Sequence, residues 1–532
     1  MRTEALKDNP FRECIGTHIT QYFDSNSGST DSRAQEWDAH KVTLRGHCIA
    51  TTWGTRNTLQ KELVREEHTL SHLRMLLPEN HQLGEQVKQV YRKCRDLETS
   101  LARIDYRHYI KRQHSEGDRS GRMLAWLLKE EHTNIPIGAI RGTDGTIHCS
   151  QLEINEIFAD YYRTLYSDPQ PHTQEAVLQY IQNIQLACLT PEQCEELETP
   201  LQLSEIRYAI KQISRNKTPG TDGLPIEYYA TYIETLAPKL LEVFNEAWQK
   251  GTLPASLREA LIVVLHKKGR DPLDVRSYRP LSLLNTDYKI LGKILANRLR
   301  PLITAMVHPD QNGFIPGRST FINNRRLIHV IQESRQMEGE PVAVSLDVEK
   351  AFDTLGWQYL HAVLGEMQFG PVFTRWLQTL YNGPLARVRV GRIISNNFSI
   401  NRGTRQGCPL SPMIFALAME PLACRLRSQA LQWGILIQGR HEMVSLYADD
   451  SLVFLRQPEV NLVDLMEELD LFGVISGLRV NWPKSCVFPL KYTPTRRQNP
   501  IRDINITWKY DTFKYLGIQI YHEEADLLEG NL

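Results

Sequence analysis

Between residues 59 and 104 the apolar positions recur every three or four residues. Leu59, Leu63, Leu70, Leu73 and Leu77 keep the spacing, with Glu66 breaking the seam once. After "PEN" (78–80) it resumes through Leu83, Val87, Val90, Cys94, Leu97, Leu101 and Ile104. A seam returning about every 3.5 residues makes helices wrap a partner. Two such seams joined at a proline predict an antiparallel helical hairpin over about residues 57–110. Two ordinary amphipathic helices packed on a domain are the alternative. The hairpin sits in a charged helical region, 1–135, with a loop at "SNSGSTDS" (25–32) and a flexible break at "SEGDRSG" (115–121). Nothing in this region carries recognisable chemistry.

Past residue 135 the period changes. "GAIRGTDGTIHCS" (138–150) reads as strand, Asp-Gly turn and strand, and helical spacing follows from Gln151 to about Leu165. "RNKTPGTDGLPIEYY" (215–229) is a loop that enters a helix through about Lys250. "ALIVVLHKKG" (260–269) is a strand running into a basic turn, and "YKILGKILANRLRPLI" (288–303) an amphipathic helix. "PVAVSLDVEKAFD" (341–353) is a strand whose end becomes a helix. A hairpin at 386–400, a helix at 411–429 and a second hairpin at 441–457 complete the series. Strands and helices alternate irregularly, which predicts an α+β core rather than tandem βαβ units.

Strand periodicity brings out three carboxylates. Val342, Val344 and Leu346 share one face, while Ala343, Ser345 and Asp347 share the other. Asp347 therefore ends a strand on its small, polar side. In "SLYADDSLVFL" (445–455) Asp449 and Asp450 interrupt two β-type runs, which puts them at a hairpin tip. If the two segments are neighbours in one sheet, Asp347 and Asp449 can approach each other. Carboxylates without a supporting His or Cys suit a hard divalent cation, Mg²⁺ or Mn²⁺ rather than Zn²⁺. Such a site serves phosphoryl or nucleotidyl transfer. A solvated, structural pair of aspartates in a turn is the bland alternative.

The chain has 532 residues, more than one ordinary core accommodates. Lys+Arg and Asp+Glu both number 62, so net charge says nothing about partners. Between Arg258 and Val330, however, 13 Lys/Arg face 5 Asp/Glu, a local net of +8. A basic stretch on a neutral chain points to a polyanion-facing surface. The nine cysteines are scattered without a CxxC, which suits reduced thiols rather than a disulfide framework or zinc site. No apolar run approaches the ~18 residues of a membrane span, and "MRTEALKDNPFREC" lacks the apolar core of a signal peptide.

In order, "NKTPGTDGLPIEYY", "GRDPLDVRSYRPLSLLNTDYKILGKILANRLRPLI", "HPDQNGFIPGRS", "SLDVEKAFD", "GTRQGCPLSP", "YADD" and "FKYLGIQI" run through the chain. These seven blocks resemble a reverse transcriptase of the LINE-type non-LTR retrotransposon family, over about residues 150–520. The resemblance implies a right-hand polymerase: an N-terminal extension at 136–255, fingers and palm with an antiparallel palm sheet at 256–490, and a primer-grip segment entering a thumb at 491–532. It implies an RNA template, a DNA primer and dNTPs as partners, no membrane, and two Mg²⁺ ions, with Mn²⁺ as a substitute. Asp347, Asp449 and Asp450, with the Val348 carbonyl, match the family's metal-binding positions. Lys484 matches the lysine proposed to protonate the leaving pyrophosphate.

Further positions follow from the same blocks. Lys267, which could be confused with Lys268, and Arg279 resemble cations that clamp the triphosphate. Phe352 stands where the family has an aromatic gate against a 2′-hydroxyl; a core phenylalanine is the alternative. Gln406 and Gly407 resemble the block that touches nucleotide and template base, with Cys408 beside them a packing residue. Arg318 is a candidate phosphate contact, and Tyr515, Leu516 and Gly517 fall in the primer grip. Thr221 replaces a proline common in the family. The resemblance leads to the expectation that this sequence lacks the family's endonuclease domain and nearly all of the thumb. A catalytically silent nucleic-acid-binding remnant is therefore the alternative to an active polymerase. A metal-dependent hydrolase lacks a candidate general base. The family's work on chromosomal DNA implies an intracellular protein, nuclear and/or cytoplasmic.

Overall fold

The computed structural model describes the chain except for residues 2, 4, 27, 77–82, 114–136, 168–173, 183, 492–505 and 532. It divides into two units, Met1–Ile137 and Gly138–Leu532. Leu77, the turn at 78–80 and the break at 115–121 lie outside the described residues, as does the side chain of Ile104.

The first unit is helical. Phe11, Ile15, Ile19 and Phe23 repeat every four residues along helix Asn9–Asn26 and are buried. Phe23 lies 4.7 Å from the ring of His40 and 6.4 Å from that of Trp37, both on the next helix. That helix runs without a break from Arg33 to Leu76, far upstream of the start at residue 57 that the leucine seam suggests. Gly46 and Gly54 weaken a helix by only about 1 kcal/mol each, too little to end it. The next helix is Gly84–Gln113. Leu70, Cys94 and Leu97 are buried. Glu66, the odd residue in the seam, receives Lys93 Nζ at 2.6 Å from the facing helix. The polar interruption thus has a matched partner.

The second unit mixes helix and sheet. Its strands are β1 (Ile140–Arg141), β2 (Ile147–His148), β3 (Glu259–His266), β4 (Tyr278–Leu284), β5 (Val342–Leu346), β6 (Leu385–Val390), β7 (Ile393–Ile394) and β8 (Phe398–Ser399). They continue with β9 (Ile435–Ile437), β10 (Arg440–Glu442), β11 (Val444–Tyr447), β12 (Asp450–Leu455), β13 (Cys486–Pro489), β14 (Thr507–Trp508), β15 (Thr512–Tyr515) and β16 (Ile518–Tyr521). One five-stranded sheet has the order β11-β12-β5-β13-β14, antiparallel except for β13 and β14. The other runs β4-β3-β6-β7 with β8 on β6, and its β3–β6 pair is parallel. The turn read at 142–145 joins β1 to β2, with Gly145 at φ +85°.

Two readings change. The segment 386–400 forms a hairpin plus a third short strand, because Leu385 and Ala386 pair with β8 after β7 has paired with the far end of β6. The helix read as amphipathic at 288–303 spans Thr286–Leu299 and is buried on nearly all sides, through Tyr288, Ile290, Leu291, Ile294, Leu295 and Leu299. Elements packed around it cover the face that its lysines would have left to water.

Candidate active site

β5 and β12 are neighbours, with Leu346 opposite Ser451. That register brings the residues just past each strand end, Asp347 on one side and Asp449–Asp450 on the other, to the same edge. β11 and β12 close on Tyr447 and Asp450, so Ala448 and Asp449 are a two-residue turn. Ala448 has φ +56°, a conformation non-glycine residues rarely adopt. Asp347 is fixed through its backbone. Its N–H donates to Ser485 Oγ at 3.2 Å, and its carbonyl accepts from the Asn481 N–H at 2.7 Å. Burial, and then the charge of Asp347, raises the Asp449 carboxyl above the usual carboxylate range. Asp450 keeps an exposed edge, yet enough protein surrounds its carboxyl for burial, ahead of Asp449 and Asp347, to push it up to about 6.

Cations face this acidic edge. Lys484 Nζ lies 3.3 Å from Asp347 Oδ2. Lys267 is partly buried at the end of β3, whereas Lys268 is exposed. This resolves which lysine turns inward. Burial, then Lys484, Arg279 and Arg270, lowers the Lys267 pKa, with Asp347 opposing. Arg279 stands opposite Leu265 in β4, exposed, and its charge reaches Asp449. Lys350 was not singled out from the sequence. It has φ +48°, donates from Nζ to the Tyr278 carbonyl at 3.1 Å, and is held down at about 8 by burial and by Lys267. Lys267, Arg279 and Lys484 thus gather about the carboxylates, with Lys350 near Lys267 and Lys484.

Residues 265–520 match the sequence profile of the family described as reverse transcriptase (RNA-dependent DNA polymerase). This span of the chain belongs to that family. A transposon TX1 protein of 149 kDa, described as uncharacterized, from Xenopus laevis is 31% identical over 92% of the chain and 37% of its own length. The R2DM retrotransposable-element polyprotein of Drosophila melanogaster is 26% identical over 71% of the chain and 34% of its own length. The RNA-directed DNA polymerase from mobile element jockey of the same fly is 23% identical over 72% and 42%. The chain therefore spans about a third to two fifths of these relatives.

Within the reverse transcriptase span, Phe352 is half-buried, stacked on Phe415 at 4.5 Å and edge-on to Phe314 at 6.2 Å. It is not sealed in the core. Phe314, half exposed at φ +61°, is a second ring at this spot that sequence reading overlooked. Gln406 donates from Nε2 to Asp353 Oδ2 at 3.0 Å, and Tyr166 donates to Asp353 Oδ1 at 2.7 Å. Asp353 is another residue the sequence did not flag; burial, against these donors, pushes it up to about 6. Gly407 has φ +95°, and a Cβ there would sit 3.1 Å from the Ser282 carbonyl, so the glycine permits a close backbone approach. Cys408 is buried, as a packing residue should be.

Two assignments need correction. Arg318 donates to the carbonyls of Thr304, Val307, His308 and Gln311. Its guanidinium secures the chain around 304–311, which leaves it poorly placed as a phosphate contact. Tyr515 is buried in a cluster with Leu327, Phe488 and Phe513, so its ring belongs to the core. Leu516 (φ +42°) and Gly517 (φ +91°) form the tight turn between β15 and β16. At that tip Gly517 is open to solvent.

Asp347, Asp449 and Asp450 offer oxygen donors of the kind a hard divalent ion takes. Among the described residues, no three Asp, Glu, His or Cys side chains converge into a metal-binding group by themselves. Mg²⁺ rarely needs such a cage: it takes one or two carboxylates and completes its shell with water and substrate phosphates. Asp347 and Asp449, oxygen donors close enough that the charge of Asp347 disfavours ionisation of Asp449, fit that partial set.

Proposed function

We propose that the chain is the polymerase portion of a non-LTR retrotransposon protein, an RNA-directed DNA polymerase that extends a DNA primer on an RNA template. The observation that carries the reading is the juxtaposition of Asp347 and Asp449, at the ends of neighbouring strands, with Lys267, Arg279, Lys350 and Lys484. In this reading the sheet β11-β12-β5-β13-β14 is the palm and the sheet β4-β3-β6-β7 belongs to the fingers. The helices Arg33–Leu76 and Gly84–Gln113 form a helical hairpin. Residues 136–255 lead into the fingers, and the β15–β16 turn serves as the primer grip.

The primer 3′-oxygen forms a bond to the α-phosphorus of a dNTP, the bond from that phosphorus to the β-phosphate oxygen breaks, and pyrophosphate leaves. Asp347, Asp449, Asp450 and the Val348 carbonyl would hold two Mg²⁺ ions, or Mn²⁺ in their place. Such ions activate the hydroxyl and neutralise the leaving charge. Lys267, Arg279 and Lys350 bind the triphosphate as preformed cations. Lys484 gives a proton to the departing pyrophosphate. Phe352 lies under the sugar and excludes a 2′-hydroxyl. Gln406, oriented by Asp353, and Gly407 line the nucleotide and templating base. Action on chromosomal DNA places one stage of this chemistry in the nucleus.

The test is primer extension on an RNA template with labelled dNTPs and Mg²⁺. The control carries Asp449→Asn and Asp450→Asn together. Extension that vanishes in the control supports the reading. Template–primer binding without extension in the parent chain would establish the silent remnant instead.

A further inference from the structure

The turn that carries Asp449 is not self-supporting. Ala448 is held at φ +56° without the freedom of glycine, and β11, on which it ends, is an edge strand of its sheet. A positive φ at a non-glycine residue is strained and persists only where the surroundings over-determine it. Gln311 supplies that determination. It is 1% exposed, and its Oε1 accepts the Ala448 N–H at 2.9 Å and the Gly313 N–H at 2.9 Å. Both partners are backbone donors, so the atom facing them is the amide oxygen. Its Nε2 then turns toward the Ala448 carbonyl at 3.5 Å.

The backbone around Gln311 adds to the hold. Leu446 N–H donates to the Asp310 carbonyl at 2.8 Å, and Asn312 N–H donates to the Leu446 carbonyl at 2.9 Å. Gln311 pairs with Leu446 as a one-residue parallel bridge, which caps the open edge of β11. Gly313 lies so close that a Cβ there would collide with the Ala448 amide. Asp310, at the start of the segment, is tied to Arg326 Nη1 at 2.7 Å, and Arg326 donates to the Val444 carbonyl of β11 at 2.6 Å.

We propose that Gln311 is a positioning residue for the polymerase reaction: its carboxamide locks Ala448 in the left-handed conformation that aims Asp449 at the metal. This rests on the assignment of Asp449 as a metal ligand. The lock acts through the turn and does not touch substrate. Removing its acceptor lets Ala448 relax toward negative φ and swings the carboxylate away from Asp347.

The experiment compares the full chain with Gln311→Met, which keeps the length and removes the acceptor, and with Gln311→Met plus Ala448→Gly. Glycine adopts positive φ without strain, so it should recover the turn when the lock is gone. Four quantities are read: Mn²⁺ affinity by electron paramagnetic resonance without nucleotide, kcat for primer extension, template–primer Kd and melting temperature. Gln311→Met should weaken Mn²⁺ binding and lower kcat by about 10–100-fold, the usual effect of losing a residue that orients a metal ligand. Template–primer Kd should stay near that of the parent, and the melting temperature should fall modestly as two backbone N–H groups lose their acceptor. Ala448→Gly in that background should restore about tenfold or more of the lost affinity and rate. If Gln311→Met fails to fold, Gln311→Asn, one methylene too short to reach Ala448, takes its place with the same readouts. Parental Mn²⁺ affinity in the Gln311 variant, or a loss that Ala448→Gly leaves untouched, overturns the proposal. A parent chain that binds Mn²⁺ through Asp449 but extends no primer would overturn the polymerase reading and leave the lock standing.

Discussion

In the sheet β11-β12-β5-β13-β14, the central strands are buried along nearly their whole length and the carboxylates come where the strands stop. In the sheet β4-β3-β6-β7, Arg279 stands within a strand, in the open, with Leu265 and Leu281 exposed beside it. The acidic edge is fixed through backbone: Ser485 and Asn481 grip Asp347, and Gln311 grips the Ala448 turn. The basic sheet presents its cations on long side chains from a surface that water reaches. In the proposed reading, the difference follows from what each must do. Two like-charged carboxylates stay close only if the chain holds them there. A cation that meets a mobile triphosphate gains from reach, because its partner arrives from solution.

The comparison can be broken at its strongest point first. Asp449→Asn should cost on the order of 1,000-fold in kcat, as expected when a group stabilising the reacting charge is lost. Template–primer affinity, measured by fluorescence anisotropy, should hold. On the basic sheet, Arg279→Ala should lower kcat/KM for dNTP by about 100-fold, the worth of one charge-assisted contact to phosphate. Steady-state extension kinetics check this, and a loss confined to kcat would sink the assignment.

The two regions should also differ in how they bear the loss of an ion pair. Glu442 accepts from Arg326 Nε at 2.5 Å in a largely buried cluster with Asp310. Glu442→Gln should therefore destabilise the fold by about 2 kcal/mol, read from urea unfolding. Glu259 meets Arg387 at 3.4 Å on the basic sheet, where both are partly exposed. Glu259→Gln should cost less than about 0.5 kcal/mol in the same assay. Equal losses at the two sites would erase the distinction between a braced edge and a wetted one.

Much of the acidic site was legible in the chain. Alternation in "VAVSLD" placed Asp347 at a strand end, and the broken β runs around "YADD" placed Asp449 in a turn. Side-chain period and turn position are local properties, so residues a few positions apart suffice to read them. The leucine seam marked two helices, although not where the first began, because a seam reports the contact stripe and not the length of the helix bearing it. The assignments of Arg318 and Tyr515 failed for a related reason. An arginine in a glycine-rich turn and a tyrosine near a hairpin tip look exposed, and only their neighbours reveal four carbonyls around one and a core around the other.

The sequence by itself determined the alternation of elements, the acidic strand ends, the basic stretch from 258 to 330 and, through seven ordered blocks, the family. The tertiary structure alone decided which groups meet. Lys350 joins Lys267 and Lys484, Asp353 holds Gln406 from a turn and Tyr166 from the end of the helix Gln151–Tyr166, and Gln311 reaches Ala448 across 137 positions of chain. Hydrogen bonds act across about 3 Å and screened Coulomb forces across about 10 Å, while the partners they join here are separated by tens to hundreds of residues. No local pattern encodes those pairings; the fold brings them together.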